Sequence, residues 1–198
     1  MGCFSAKFVP RLLTDDQKEN RVGISQELLV NANGNENFLT NIITGDETVY
    51  GYDVETKMQS SQWMWKGSPR PINARMSRSE IKVMLVLYFD WKGIVHREFV
   101  PSGQMVNGQL YQEGLARLRG AVRRKRPELW ENQPWMLRHD NAPSHSSLLI
   151  RSYPPKHQTS VVPLPPCSPD LAPADFFLFP KLEPTLKGRR FETIEEIQ

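Results

Sequence analysis

A chain of 198 residues, 39 % hydrophobic and 10 % aromatic, carries enough apolar material for a packed core and is too apolar for wholesale disorder. Its formal net charge of +3 is compatible with nucleic acid without pointing to it. The two cysteines, Cys3 and Cys167, lie too far apart in sequence for a disulfide framework, and the longest apolar run, residues 83–89, falls far short of a membrane span, so an intracellular chain is expected with no membrane partner.

Met1-Gly2-Cys3 opens like an acylation signal, but Ala6 stands where a hydroxyl residue is wanted, and no apolar stretch follows that would make a signal peptide. Thr14 with Gln17 forms a capping box, which predicts a helix running to about Val30. Residues 31–37 (NANGNEN) read as a loop. No hydrophobic stripe in this part could fold alone. Residues 1–37 are therefore expected to pack on something else, either the following domain or a second copy of the chain, and residues 38–198 are taken as one main domain.

From Phe38 the pattern turns to strand. Residues 38–44 are β-rich and end at Gly45-Asp46-Glu47, and residues 48–52 continue as strand. Trp63 and Trp65 sit in a loop. Residues 82–89 (KVMLVLYF), the turn Asp90-Trp91-Lys92-Gly93 and residues 94–100 form a hairpin. Residues 104–126 have helical spacing, with Leu110, Leu115, Leu118 and Val122 apolar, and Pro127 ends the helix. A short buried strand at residues 135–137 breaks into a polar turn. A helix is expected over residues 144–151 with Ser144 as N-cap, then a strand over 159–164, a stiff connector of prolines, and a proline-interrupted helix over 174–186. Residues 191–198 read as the start of a further helix, as if the chain were shortened there. Three strands first, then strand–helix alternation, predict an α/β fold: a mixed sheet, antiparallel at its start and parallel afterwards, flanked by helices.

Three acids fall at informative places. Asp46 follows the first apolar strand, Asp140 follows the strand at 135–137, and Asp175 lies in the first turn of a helix just after Pro173. Each alone reads as well as a turn former or as a partner of the helix dipole. Together, if the strands of Asp46 and Asp140 are neighbours, they make the hard-oxygen ligand set that Mg²⁺ or Mn²⁺ prefers. A pair of such ions ~3.5–4 Å apart is a common device for phosphoryl transfer on nucleic acid.

Other residues carry weaker signals. Arg123, Arg124, Lys125 and Arg126, with Lys187, Arg189 and Arg190, form basic clusters that read either as solvated helix surface or as phosphate contacts. Trp63, Trp65 and Trp91 suit base stacking or packing. His139 and His145 flank the central turn without the paired spacing of a zinc site.

Thr44-Gly45-Asp46-Glu47, then His139-Asp140-Asn141-Ala142-Pro143-Ser144-His145, then Ser168-Pro169-Asp170-Leu171-Ala172-Pro173-Ala174-Asp175-Phe176 resemble the three signature blocks of mariner-type (Tc1/mariner superfamily) transposases. That family separates its second and third catalytic aspartates by 34 residues, the number between Asp140 and Asp175. Residues 7–13 are similar to the family's linker, so the resemblance implies that residues 1–37 are a linker and dimerisation arm. The resemblance implies an RNase H-like fold, catalysis by Asp46, Asp140 and Asp175 holding two Mg²⁺ or Mn²⁺ ions, DNA as partner and a homodimer, and the basic run at residues 123–126 reads as a nuclear-import cluster, so action in the nucleus is expected. The resemblance also implies that Glu47 and Asn141 orient the site, while Asp170 is assigned to the turn before the helix. Two departures stand out. Thr48-Val49 replaces an aromatic that the family usually carries, and nothing before Phe8 supplies the family's DNA-reading modules. The alternative is therefore a catalytically silent transposon-derived remnant that binds DNA or dimerises, with an RNase H-like nuclease acting on RNA–DNA hybrids as a third reading.

Overall fold

A computed structural model describes residues 12–51, 63, 65, 67–69, 82–101, 103–131, 135–157 and 159–186. Five strands, β1 (Ile42–Gly51), β2 (Lys82–Asp90), β3 (Gly93–Val100), β4 (Met136–Arg138) and β5 (Ser160–Val161), lie in the order β3-β2-β1-β4-β5. β1, β2 and β3 pair antiparallel, whereas β4 runs parallel to both β1 and β5. The mixed sheet therefore has the directions the sequence predicts.

Helices cover both faces. α2 (Gly108–Lys125), α3 (Pro127–Glu131) and α4 (Leu148–Lys156) lie over the larger core, where Ile43, Val86, Tyr88, Leu118, Val122, Leu137 and Ile150 are buried. In α2 the buried Leu115, Leu118 and Val122 recur at helical spacing, and Asn107 accepts the Leu110 N–H at 2.9 Å to start the helix. Arg126 caps its end because Pro127, with fixed φ and no N–H, opens α3 instead of continuing α2. On the opposite face Val83, Leu85 and Leu87 pack against Leu178 and against Leu182 of α5 (Phe179–Leu186).

The N-terminal helix α1 (Asp15–Gly34) has the expected capping box but outlasts the expected end at Val30; the polar run at residues 31–34 stays helical. None of its residues is buried. Its ties to the domain include one long-range clamp, from Arg21 to both carboxylate oxygens of Asp170 at 2.8 and 3.1 Å and to the Ser168 hydroxyl at 3.0 Å.

Three further expectations are corrected. The two strands around Gly45 are one, β1, because the chain passes Asp46 without a break. Ser144 is not an N-cap: His145 and Ser146 donate their N–H groups to the Ala142 carbonyl in a turn, and the helix starts only at Leu148. The segment at 174–186 is continuous despite Pro180. Residues Ala174–Leu178 form a wide π turn in which the Phe179 N–H reaches the Ala174 carbonyl, and the proline that follows is accommodated without a break. Among the described residues no helix is long and apolar enough to cross a membrane.

Candidate metal centre

β1 and β4 are neighbours, with Thr44 paired to Arg138, so the chain leaving β4 carries Asp140 past the middle of β1, where Asp46 stands. Asp46 is thus within a strand rather than at a strand's end, as the sequence reading had it. Successive side chains of a strand point to opposite faces. Asp46 is paired with Leu87, whose side chain lies on the α5 face, while Gly45 and Glu47 are paired with Tyr88 and Val86, which lie on the α2 face. The two adjacent acids therefore serve different faces of one sheet.

On the α5 face Asp46 meets the helix start that bears Asp175. Burial, together with the charges of Asp175, Glu47 and Asp140, pushes the Asp46 carboxyl up to about 7, although the Glu47 N–H opposes this with a 2.7 Å hydrogen bond. Asp175 is also raised, by burial and then by the charge of Asp140. All three sequence-selected acids thus fall within one electrostatic neighbourhood. Carboxylates crowded in this way are the donor set that a hard divalent cation relieves, so the residues fit Mg²⁺ or Mn²⁺.

On the α2 face a brace holds the middle acid. His145, whose side chain is 1 % exposed, places Nδ1 2.6 Å from Asp140 Oδ1 and Nε2 3.0 Å from Glu47 Oε1. With a carboxylate at each nitrogen the ring donates from both and carries a charge. Burial works against that charge, but the bonds to Asp140 and Glu47 outweigh it and push the pKa up to about 9. Asp140 also accepts the Ala142 N–H at 3.0 Å; burial opposes its ionisation, yet these bonds hold it below its usual range. Tyr111 packs against His145 with ring centroids 3.9 Å apart and planes tilted by 32°, and hydrogen-bonds His139 Nδ1 at 2.8 Å. Glu47, Asp140 and His145 bring ligand atoms within 4.8 Å of one another. Both ring nitrogens of His145 are already committed to the two acids, so this group closes on itself and His145 has no free nitrogen to offer an ion.

Gly45 permits the arrangement. A Cβ at that position would lie 2.3 Å from two ring atoms of the buried Tyr88, so the ring rests on bare backbone beside Asp46. Asn141 donates Nδ2 to the Leu164 carbonyl at 2.6 Å and ties the turn after Asp140 to the proline connector. Asp170 belongs to the turn before the helix, where Arg21 holds it, as the sequence reading assigned it.

The basic candidates separate. Arg126 is not a free phosphate contact: it is 12 % exposed and grips the fully buried Asp90 at 2.5 and 3.0 Å. Arg123, Arg124 and Lys125 are exposed in the last turn of α2. They lie roughly 18 Å along the helix axis from Tyr111, so the structure does not bring them to the acids. Lys187, Arg189 and Arg190 lie outside the described residues. Trp63, Trp65 and Trp91 are exposed, and Val49, in place of the family's aromatic, is 54 % exposed. The brace by His145 escaped the sequence reading, which weighed the histidines as zinc ligands and His145 beside Ser144 as a hydrolase pair lacking a nucleophile elbow; the available signal was a histidine five positions after an acid, within reach of a second acid beside the first block.

The fold and the carboxylates define a class: an RNase H-like domain with acids gathered beside two adjacent strands. Residues 53–132 match the family model described as "Transposase (partial DDE domain)". Mariner Mos1 transposase from Drosophila mauritiana is 34 % identical over 193 residues, covering 97 % of this chain and 55 % of that protein. The crystal structure of the catalytic domain of Mos1 mariner transposase superposes with a TM-score of 0.77 at 30 % identity, covering 96 % of this chain and 81 % of that one. A Mos1 mariner paired end complex with Mn reaches 0.85 at 32 % identity, covering 100 % of this chain and 57 % of that one. The chain belongs to the mariner transposase family and spans about half the length of Mariner Mos1 transposase.

Proposed function

We propose that this chain is the catalytic portion of a cut-and-paste DNA transposase that hydrolyses DNA phosphodiesters and, in the assembled protein, joins a 3′-hydroxyl to target DNA. The observation that carries this reading is the gathering of Asp46, Asp140 and Asp175 at one place in the fold, where burial and then the charge of neighbouring acids raise the carboxyls of Asp46 and Asp175. Asp46, Asp140 and Asp175 would hold two Mg²⁺ or Mn²⁺ ions. Bound there, divalent ions supply an activated water or 3′-hydroxyl and a stabilised leaving oxygen. The chain's own part is positional. The β1–β4 pairing fixes the spacing of Asp46 and Asp140, the π turn presents Asp175, and His145 with the Ala142 N–H keeps the Asp140 carboxylate ionised in one orientation. The Mos1 paired end complex supports DNA and a second copy of the chain as partners. Action on chromosomal DNA places the protein in the nucleus, and residues 1–37 serve as the arm between copies.

The test is nicking of supercoiled plasmid in Mn²⁺ by the wild-type chain and by Asp140→Asn. The wild type nicks and the variant does not; equal nicking by both removes the metal-centre claim. A second reading, a DNA-binding module without chemistry, draws on the exposed Arg123, Arg124 and Lys125, far from the acids. It requires that the wild type bind DNA with a salt-dependent affinity yet leave the plasmid intact.

A further inference from the structure

Thr44, Arg138 and Pro173 stand two positions before Asp46, Asp140 and Asp175. Together they line a groove of about 500 Å³ on the α5 face of the sheet. Phe89, Ile94 and Phe177 make its walls apolar, and the last two remain 44 % and 48 % exposed. Arg138 is the exception in this lining. It is 6 % exposed, its Nε has no hydrogen-bond partner, and among the described residues no ion pair includes it. Its strand neighbour Leu137 turns into the opposite core, and its register partner Thr44 shares its face.

Among the described residues two other charged groups line the groove, and both are occupied. Asp90 is held by Arg126 through both oxygens, and Lys92 pairs with Glu128. One positive charge therefore lies largely out of water, its Nε enclosed, without a counter-charge among the described residues, a costly arrangement unless something supplies an anion. A guanidinium offers a planar fork that a carboxylate fills with two hydrogen bonds. A single uncompensated charge matches a monoanion rather than a phosphate dianion, and the apolar walls match an apolar body of the size such cavities hold.

We propose that this groove binds a monocarboxylate carried on an aryl or branched-alkyl body, with Arg138 as the carboxylate receptor. The site is independent of the transposase reading, because none of its contacts uses the acid centre. The experiment uses the full chain in EDTA, with 2-naphthoate as probe and the neutral 2-naphthamide as control, read by thermal shift and by titration calorimetry. Without probe, Arg138→Met raises the Tm by roughly 2–4 °C, since an unpaired charge gives way to an apolar side chain. Naphthoate raises the wild-type Tm by roughly 5–10 °C at a hundredfold excess over Kd, and the amide does not. Arg138→Met abolishes the shift. Phe177→Ala, at an exposed wall, weakens the acid about tenfold without touching the core. A lower Tm in Arg138→Met overturns the proposal, because it shows a guanidinium already satisfied within the chain. So does an equal response to acid and amide, equal binding by Phe177→Ala, or no saturable binding at all.

Discussion

Replacing Gly45 by alanine tests whether the ring of Tyr88 resting on bare backbone holds the first acid in place. The new Cβ would sit 2.3 Å from Cδ1 and Cε1 of Tyr88. Carbon atoms are comfortable at ~3.5–4.0 Å, so the ring must retreat by more than ~1 Å. Tyr88 is 1 % exposed and packed among the core residues of α2, which leaves it nowhere to go. Overpacking of this kind costs up to about 3 kcal/mol, which in a chain of this length lowers the Tm by roughly 6–12 °C. The same substitution in a Tyr88→Val background meets no ring. There it costs less than about 1 kcal/mol, or stabilises slightly by restricting the unfolded chain. Urea unfolding of the four proteins in EDTA then gives a coupling energy of about 2 kcal/mol or more. Equal costs of Gly45→Ala in both backgrounds would show that the close approach to Tyr88 is not the constraint, and the reasoning would fail.

Other predictions follow from the charges. Asp46, raised to about 7, is protonated below that pH in the metal-free chain; apparent Mn²⁺ affinity should therefore climb about tenfold per pH unit below 7 and level off above it, and calorimetry in buffers of different ionisation heat should detect the released proton. The folded pKa of His145, about 9, lies above its ordinary 6.5, so its stabilising contribution is complete below pH 6.5 and is lost as the pH rises through 9; the metal-free Tm should fall across that window, and His145→Gln should flatten the fall. Arg126→Ala strands the buried Asp90 and should cost about 3–5 kcal/mol in urea unfolding, while leaving the salt dependence of DNA binding unchanged. Arg21→Ala should leave the core's hydrogen exchange as it is and accelerate exchange throughout α1, which buries nothing of its own.

The sheet was legible because its signals are local: apolar runs, the hairpin turn at Asp90-Trp91-Lys92-Gly93, and the amphipathic stripe of α2. Asp46, Asp140 and Asp175 were legible through their order and spacing. What stayed hidden depends on contacts across the fold. Gly45 looks like a strand breaker until Tyr88 is seen to cover it. Ser144 is a good N-cap in sequence, but the turn that delivers His145 to two acids leaves no place for a helix there. Arg126 read like its exposed neighbours Arg123 and Arg124, and only the hairpin returning Asp90 to the end of α2 sets it apart.

Asp46 and Glu47 make pairing register a chemical variable. If β1 slipped by one residue against β2 and β4, every side chain would change faces. Glu47 would then take the place of Asp46 beside Asp175, Thr48 would take the place of Glu47 at His145, and Asp46 would fall beneath the ring of Tyr88. The result would still be a sheet of the same fold, but with the brace to His145 lost and a longer side chain facing Asp175. The ring of Tyr88 accepts only glycine beneath it, so it vetoes that slip. One aromatic–glycine contact thus proofreads the strand alignment that decides which acid faces Asp175.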